Sequence, residues 1–111
     1  MYLLIDNKKI IELDIAKNFY LKFKGLMGRK NISRGLYFPN CNSIHMFFMK
    51  ESIDVLYLNN KGIIISMDKG LKPWSVGKIR FAGKSLIELP YGTIDKYNIA
   101  LKQKVTILSD N

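Results

Sequence analysis

Only one of the 111 residues is cysteine, Cys41, and only one is histidine, His45. A lone cysteine excludes an internal disulfide and suits a reducing compartment, so the chain is expected to be cytoplasmic. Paired ligand spacings such as CxxC or HxxxH are missing, and neither a metal site nor a cofactor is expected. No apolar run approaches the ~20 residues of a membrane span. The opening Met1-Tyr-Leu-Leu-Ile-Asp-Asn-Lys-Lys turns polar after five residues, unlike a signal peptide. Gly25-x-x-Gly28 lacks the strand-to-helix setting and the lysine of a phosphate loop, and the aromatic signature of an RNA-recognition motif is absent. There is no internal repeat, low-complexity tract or linker.

Acids are missing from two long stretches. Residues 15–50 hold Lys17, Lys22, Lys24, Arg29, Lys30, Arg34 and Lys50 with no acid, and residues 69–87 hold Lys69, Lys72, Lys78, Arg80 and Lys84 with none. Twelve positive charges therefore sit in those stretches, while the whole chain carries +9, so the remainder sums to −3. If the stretches adjoin in space, they form a face that attracts anions.

What is present reads as one domain, residues 1–111. The chain is 48% apolar and 24% charged, and at this size roughly two-thirds of the unfolded surface is buried on folding. Residues 2–6 and 10–14 flank Asn7-Lys8-Lys9 as a β-hairpin. Ala16, Phe19, Tyr20, Phe23, Leu26 and Met27 share one helical arc, which predicts an amphipathic helix over about 15–27. Beyond it the chain reads as strands: Gly35–Phe38, Ile44–Met49, Asp54–Leu58, Ile63–Met67, Ile79–Ala82, Ser85–Leu89 and Lys104–Leu108. Asn59-Asn-Lys-Gly62 is a strong turn, and Lys69–Gly77 is the longest irregular connection. This pattern predicts a mainly β fold, a small sandwich or barrel with one helix packed against it.

The candidate binding residues are Arg29, His45, Lys50, Asp54, Lys72, Trp74 and Arg80. Arg29 offers a planar donor fork for a carboxylate or phosphate, or simply suits the end of a helix. Asp54 opens an apolar strand. A covered carboxylate needs a partner, and Lys50, His45 or Arg29 would serve. Trp74, between Lys72 and Lys78, either plugs the core or stacks on a ring. Arg80 and Lys72 could share a rim with Arg29 and Lys50. Cys41, His45 and Asp54 are the residue types of a nucleophile, base and orienting acid. Along a strand, however, Cys41 and His45 would sit about 13 Å apart, so no catalytic set is assigned.

Six pieces in order resemble the prokaryotic family called domain of unknown function 192. They are Lys24-Gly-Leu-Met-Gly-Arg29, Gly35-Leu-Tyr-Phe38, Ser43-Ile-His-Met-Phe-Phe-Met-Lys50, Ile53-Asp-Val-Leu-Tyr-Leu58, Leu71-Lys-Pro-Trp74 and Leu86-Ile-Glu-Leu-Pro-Tyr-Gly92. Ser52 replaces a proline usual in one branch, and Gln103-Lys104 replace Gly-Asp before the last strand. The resemblance implies a jelly-roll-like fold with a short helix, and no established activity.

The residues themselves point to a non-enzymatic binding or accessory domain whose partner is an acidic small molecule or acidic protein surface. The alternatives are an enzyme using His45, Asp54 and perhaps Cys41, and non-specific nucleic-acid binding driven by net charge.

Overall fold

The computed structural model describes residues 1–16, 34–41, 51–73 and 82–109. These residues form β1 (Tyr2–Ile5), β2 (Lys8–Ile15), β3 (Gly35–Pro39), β4 (Ile53–Leu58), β5 (Ile64–Leu71), β6 (Ser85–Pro90), α1 (Thr93–Lys96) and β7 (Val105–Leu108). The fold is mainly β. The strands make a single sheet in the order β5-β4-β6-β3-β2-β1-β7. Each neighbouring pair is antiparallel except β2 with β3, which run parallel. Parallel neighbours need a crossover of a dozen or more residues, and the stretch between β2 and β3 is long enough to provide one.

Local chemistry sets the turns. Asp6 and Asn7 both have positive φ, 50° and 67°, the two-residue signature that matches the twist of an antiparallel hairpin. The turn therefore falls one residue earlier than Asn7-Lys8-Lys9, and both lysines belong to β2. Between β4 and β5, Asn59 Oδ1 accepts from the N–H of Lys61 at 2.9 Å and of Ile63 at 3.0 Å. Gly62 has φ 77°, and a Cβ there would lie 2.9 Å from the Val105 carbonyl oxygen. The predicted hairpin over 54–67 is thus present.

β5 runs past Met67 to Leu71. Val55 pairs with Asp68 and Ile53 with Leu71, so Lys69 and Gly70 together oppose Asp54 as a bulge. Of the irregular connection predicted over Lys69–Gly77, Lys69, Gly70 and Leu71 belong to β5 instead, and residues 74–77 lie outside the described residues. α1 was not anticipated. It ends in a Schellman motif, with Asn98 at φ 52°, Asn98 N–H on Asp95 O at 3.3 Å and Ile99 N–H on Ile94 O at 2.9 Å. Its apolar pair, Ile94 and Ile99, is buried together.

Two apolar clusters lie on the two faces of the sheet. One gathers Leu3, Ile5, Leu13, Leu56, Leu58 and Ile87 with Ile94 of α1; the other gathers Leu36, Phe38, Ile53, Val55, Tyr57 and Leu86. β4 is buried at all six positions and β6 at its first five, which is why both read as nearly continuous apolar runs. The edge strands approach each other through one bridge, Ile63 with Lys104. Ile64 N–H donates to Gln103 O at 3.0 Å, and Val105 N–H to Gly62 O at 2.8 Å. The sheet curls toward itself as a sandwich-like body and does not close into a barrel.

Of the predicted helix over 15–27, Ile15 is the last residue of β2, paired with Tyr37, and Ala16 is buried. The rest of that helix, the strand over 44–49 and all but Ala82 of the strand over 79–82 lie outside the described residues.

Candidate functional site

Asp54 is 1% exposed, so its carboxylate must be satisfied from within. Oδ1 accepts the Gly70 N–H at 2.9 Å, while Oδ2 accepts the N–H of Gly92 at 3.1 Å and of Ile94 at 2.9 Å. One side chain at the start of β4 thereby ties the bulge of β5 to the turn that launches α1. Gly70, at φ 62°, leaves no room for a Cβ, which would sit 2.7 Å from Tyr91 Cε1. The Thr93 hydroxyl donates to Pro90 O at 2.6 Å and tightens the same corner. The described partners are main-chain amides, so the carboxylate works here as a clasp; Lys50, His45 and Arg29, the partners considered from sequence, lie outside the described residues. Glu88, also buried at 3% exposed, stands between Leu36 and Val55 in register on the other face. On that face Tyr57 OH donates to Asp68 Oδ2 at 2.8 Å.

Acid-free in sequence is not acid-free in space. Arg34 forks onto Asp14, with Nη2 on Oδ1 at 2.9 Å and Nε on Oδ2 at 3.2 Å, and reaches Glu12 Oε2 at 2.8 Å. The hydrogen bonds and charge of Asp14, and then of Glu12, push the guanidinium pKa further up. Lys69 Nζ donates to Asp95 Oδ1 at 2.9 Å, and that bond with the Asp95 charge raises the ammonium pKa. Arg34 and Lys69, both from the acid-free stretches, are thus engaged by acids from other parts of the chain.

Of the sequence candidates, Asp54 and Lys72 are described; Arg29, His45, Lys50, Trp74 and Arg80 lie outside the described residues. Lys72 is exposed just beyond β5, and Cys41 is half-buried just beyond β3. Among the described residues no three metal-ligating side chains cluster, and no helix is long and apolar enough to cross a membrane.

A cavity of about 370 Å³ opens at the other end of β4 and β6 from Asp54. Tyr37, Leu58, Val105 and Ile107 give it an apolar wall continuous with the core. Asn40, Asn59, Asn60, Lys84 and Ser85 give it a polar rim, and Lys84 is its one charged residue among the described residues. The main chain of Lys84 is fixed twice, donating to Leu58 O at 2.7 Å and accepting from Cys41 N–H at 3.1 Å. A second hollow of about 280 Å³ shares Asn40 and Lys84 and adds Cys41 and Gly83. Lys104 Nζ, donating to the Lys61 carbonyl, lies beside Gly62 on the same rim. Sequence reasoning missed this site. Asn40, Asn59 and Asn60 read as turn residues, and nothing local shows that their turns meet.

The family model for domain of unknown function 192, described as Uncharacterized ACR, matches residues 2–107. The chain belongs to this family. A UPF0127 protein of Thermococcus sibiricus is 35% identical over 97 residues, covering 82% of this chain and 62% of that protein. One from Thermococcus kodakarensis is 35% identical over 89 residues, covering 75% and 56%. One from Pyrococcus furiosus is 30% identical over 100 residues, covering 86% and 85%. The DUF192 chain thus spans less than two-thirds of the length of the first two relatives. A crystal structure of a protein of unknown function from Novosphingobium aromaticivorans superposes with a TM-score of 0.84 at 14% identity, covering 96% of this chain and 84% of that one. A Sinorhizobium meliloti protein described as a candidate transcription regulator superposes at 0.76 with 17% identity, covering 85% and 79%. At such identities these two likenesses speak for the fold alone.

Proposed function

We propose that this DUF192 domain is a non-enzymatic binding module for a small anion with an apolar body, held in the cavity between the ends of β3, β4 and β6. The observation that carries this reading is the cavity's composition. An apolar wall meets a rim of amides and a hydroxyl with Lys84 in the lining and the Lys104 ammonium beside it at Gly62. Ligand sites of this size usually combine an apolar lining with a few placed polar groups, often at the mouth of a curled sheet. The apolar body would displace water from Tyr37, Leu58 and Ile107, while the anion would meet Lys84 and the asparagine amides. The chain's +9 charge concentrates anions around it, with Arg29, Lys50, Lys72 and Arg80 as further sources of that field.

Calorimetric titration with 3-phenylpropionate, and with its neutral amide, tests the reading. The acid should bind more tightly than the amide, and Lys84→Glu should remove that preference while Lys9→Glu keeps it. Equal losses from the two substitutions would mean that net charge alone matters. Binding that falls steeply with salt, without preferring acid to amide, and is displaced by duplex DNA would favour non-specific nucleic-acid attraction instead.

A further inference from the structure

The 370 Å³ cavity has a basic group on each side of the Asn59–Gly62 turn. On one side is Lys84, whose N–H is held by Leu58 O, the residue just before the turn, at 2.7 Å. On the other is Lys104, which enters from β7 and bridges to Ile63. Its ammonium donates to Lys61 O. Glycine at position 62 permits this approach, since a Cβ there would lie 3.3 Å from the ammonium and 2.9 Å from Val105 O. The Lys104 side of the rim is built from residues 58–64 and 103–107, both of them unbroken described stretches.

Between the two lysines the turn has spent its acceptors. The carbonyls of Leu58, Asn59 and Gly62 take the N–H of Lys84, Gly62 and Val105, and that of Lys61 takes the Lys104 ammonium. Asn59 Oδ1 accepts two more, from Lys61 and Ile63. The Asn59 side chain therefore meets a ligand with its NH2 group, and the Lys104 ammonium has two further protons to give. Such a rim selects a molecule that accepts. Among the described residues no acid lines the cavity. Asp6 accepts the Lys104 main-chain N–H at 3.2 Å, but it lines a different hollow, with Asn98 and Gln103.

We propose that the ligand of this cavity is a dianion with an apolar middle and a carboxylate at each end, one end held at Lys84 and the other at Lys104. The proposal rests on the anion-binding reading above and adds a second point of charge recognition to it. Neighbouring strands lie about 4.8 Å apart. The ammonium at Gly62 stands across β4 from β6, so it is roughly 10 Å from the main chain of Lys84. A benzene ring with a carboxylate-bearing group at each end is of that length. Its ring would lie on Leu58, Val105 and Ile107. A monoanion of the same body would leave one ammonium without a partner in the ligand, which makes Lys104 the residue that tells the two apart.

The test is calorimetric titration with three probes: 3-phenylpropionate, 3-(4-carboxyphenyl)propionate, and the carboxamide of the latter, 3-(4-carbamoylphenyl)propionate. The carboxamide matches the diacid in size and lacks its second charge. The diacid should bind about fivefold more tightly than the carboxamide, the upper range for an exposed ion pair. Lys104→Gln should erase that preference, Lys104→Arg should keep it, and Lys9→Gln, which removes one charge elsewhere, should keep it too. Lys104 is exposed, and melting temperatures of the variants will confirm that they fold. Equal binding of diacid and carboxamide by the parent, while 3-phenylpropionate still binds, overturns the dianion proposal and leaves the anion-binding reading standing. A preference that survives Lys104→Gln, or that falls equally with Lys9→Gln, overturns the assignment to Lys104. If none of the three probes binds with a Kd below about 1 mM, both the proposal and the reading beneath it fall.

Discussion

Replacing Asp54 by alanine removes one carboxylate and strands three amide donors, those of Gly70, Gly92 and Ile94. Hydrogen bonds to a charged group contribute about 1.5–3 kcal/mol each, so simple addition gives roughly 4.5–9 kcal/mol. Relaxation of the 90–94 turn and water entering the vacated space return part of this, and the expected loss is about 3–5 kcal/mol. Domains of this size hold about 5–15 kcal/mol in total, so the variant should fold with a melting temperature lowered by roughly 12–20 °C. Asp54→Asn keeps one acceptor oxygen but turns an NH2 donor toward another donor. It should recover part of the loss, about 1–2 kcal/mol. Thermal melts give the magnitude, and hydrogen exchange gives the mechanism. Gly70, Gly92 and Ile94 amides should lose protection before the amides of β4 and β6 do. A variant melting within a few degrees of the parent, or unchanged protection at those three amides, would refute the clasp.

Three further outcomes follow from the same geometry. Gly62→Ala should destabilise by about 1–3 kcal/mol in urea unfolding, because positive φ and a main-chain oxygen 2.9 Å away both oppose a Cβ. Gly70→Ala should be partly rescued by Tyr91→Ala, since the ring is one of its two obstacles, and a double-mutant cycle will read that coupling. The Lys69–Asp95 pair should matter at high pH. Lys69 holds its proton more tightly when folded, so the pair stabilises below the unfolded value near 10.5. That contribution is lost as pH climbs through the higher folded value. Unfolding curves from pH 9 to 12 for the parent and Asp95→Asn should converge at the alkaline end, and parallel curves would contradict the pair.

Much of the sheet was legible locally. Alternating and continuous apolar runs marked β3, β4, β6 and β7, and the Asn59–Gly62 turn marked the β4–β5 hairpin, because side-chain period and turn chemistry act over a few residues. Asp54 was recognisable as a carboxylate in need of a partner, since Ile53 and Val55 announced burial around it. Its partners were not recognisable. Gly70, Gly92 and Ile94 are main-chain donors 16, 38 and 40 residues away, and an amide donor leaves no mark on residue identity. Arg34 looked like part of a basic stretch until the parallel pairing of β2 with β3 set Glu12 and Asp14 beside it. The cavity at Lys84 exists because three strand ends converge. Amino-acid order determined which segments would be strands and which faces would be apolar, since those are properties of short windows. Register, the crossover and the meeting of remote turns were decided only in three dimensions, where burial of the whole sheet selects one pairing among many that the local patterns allow.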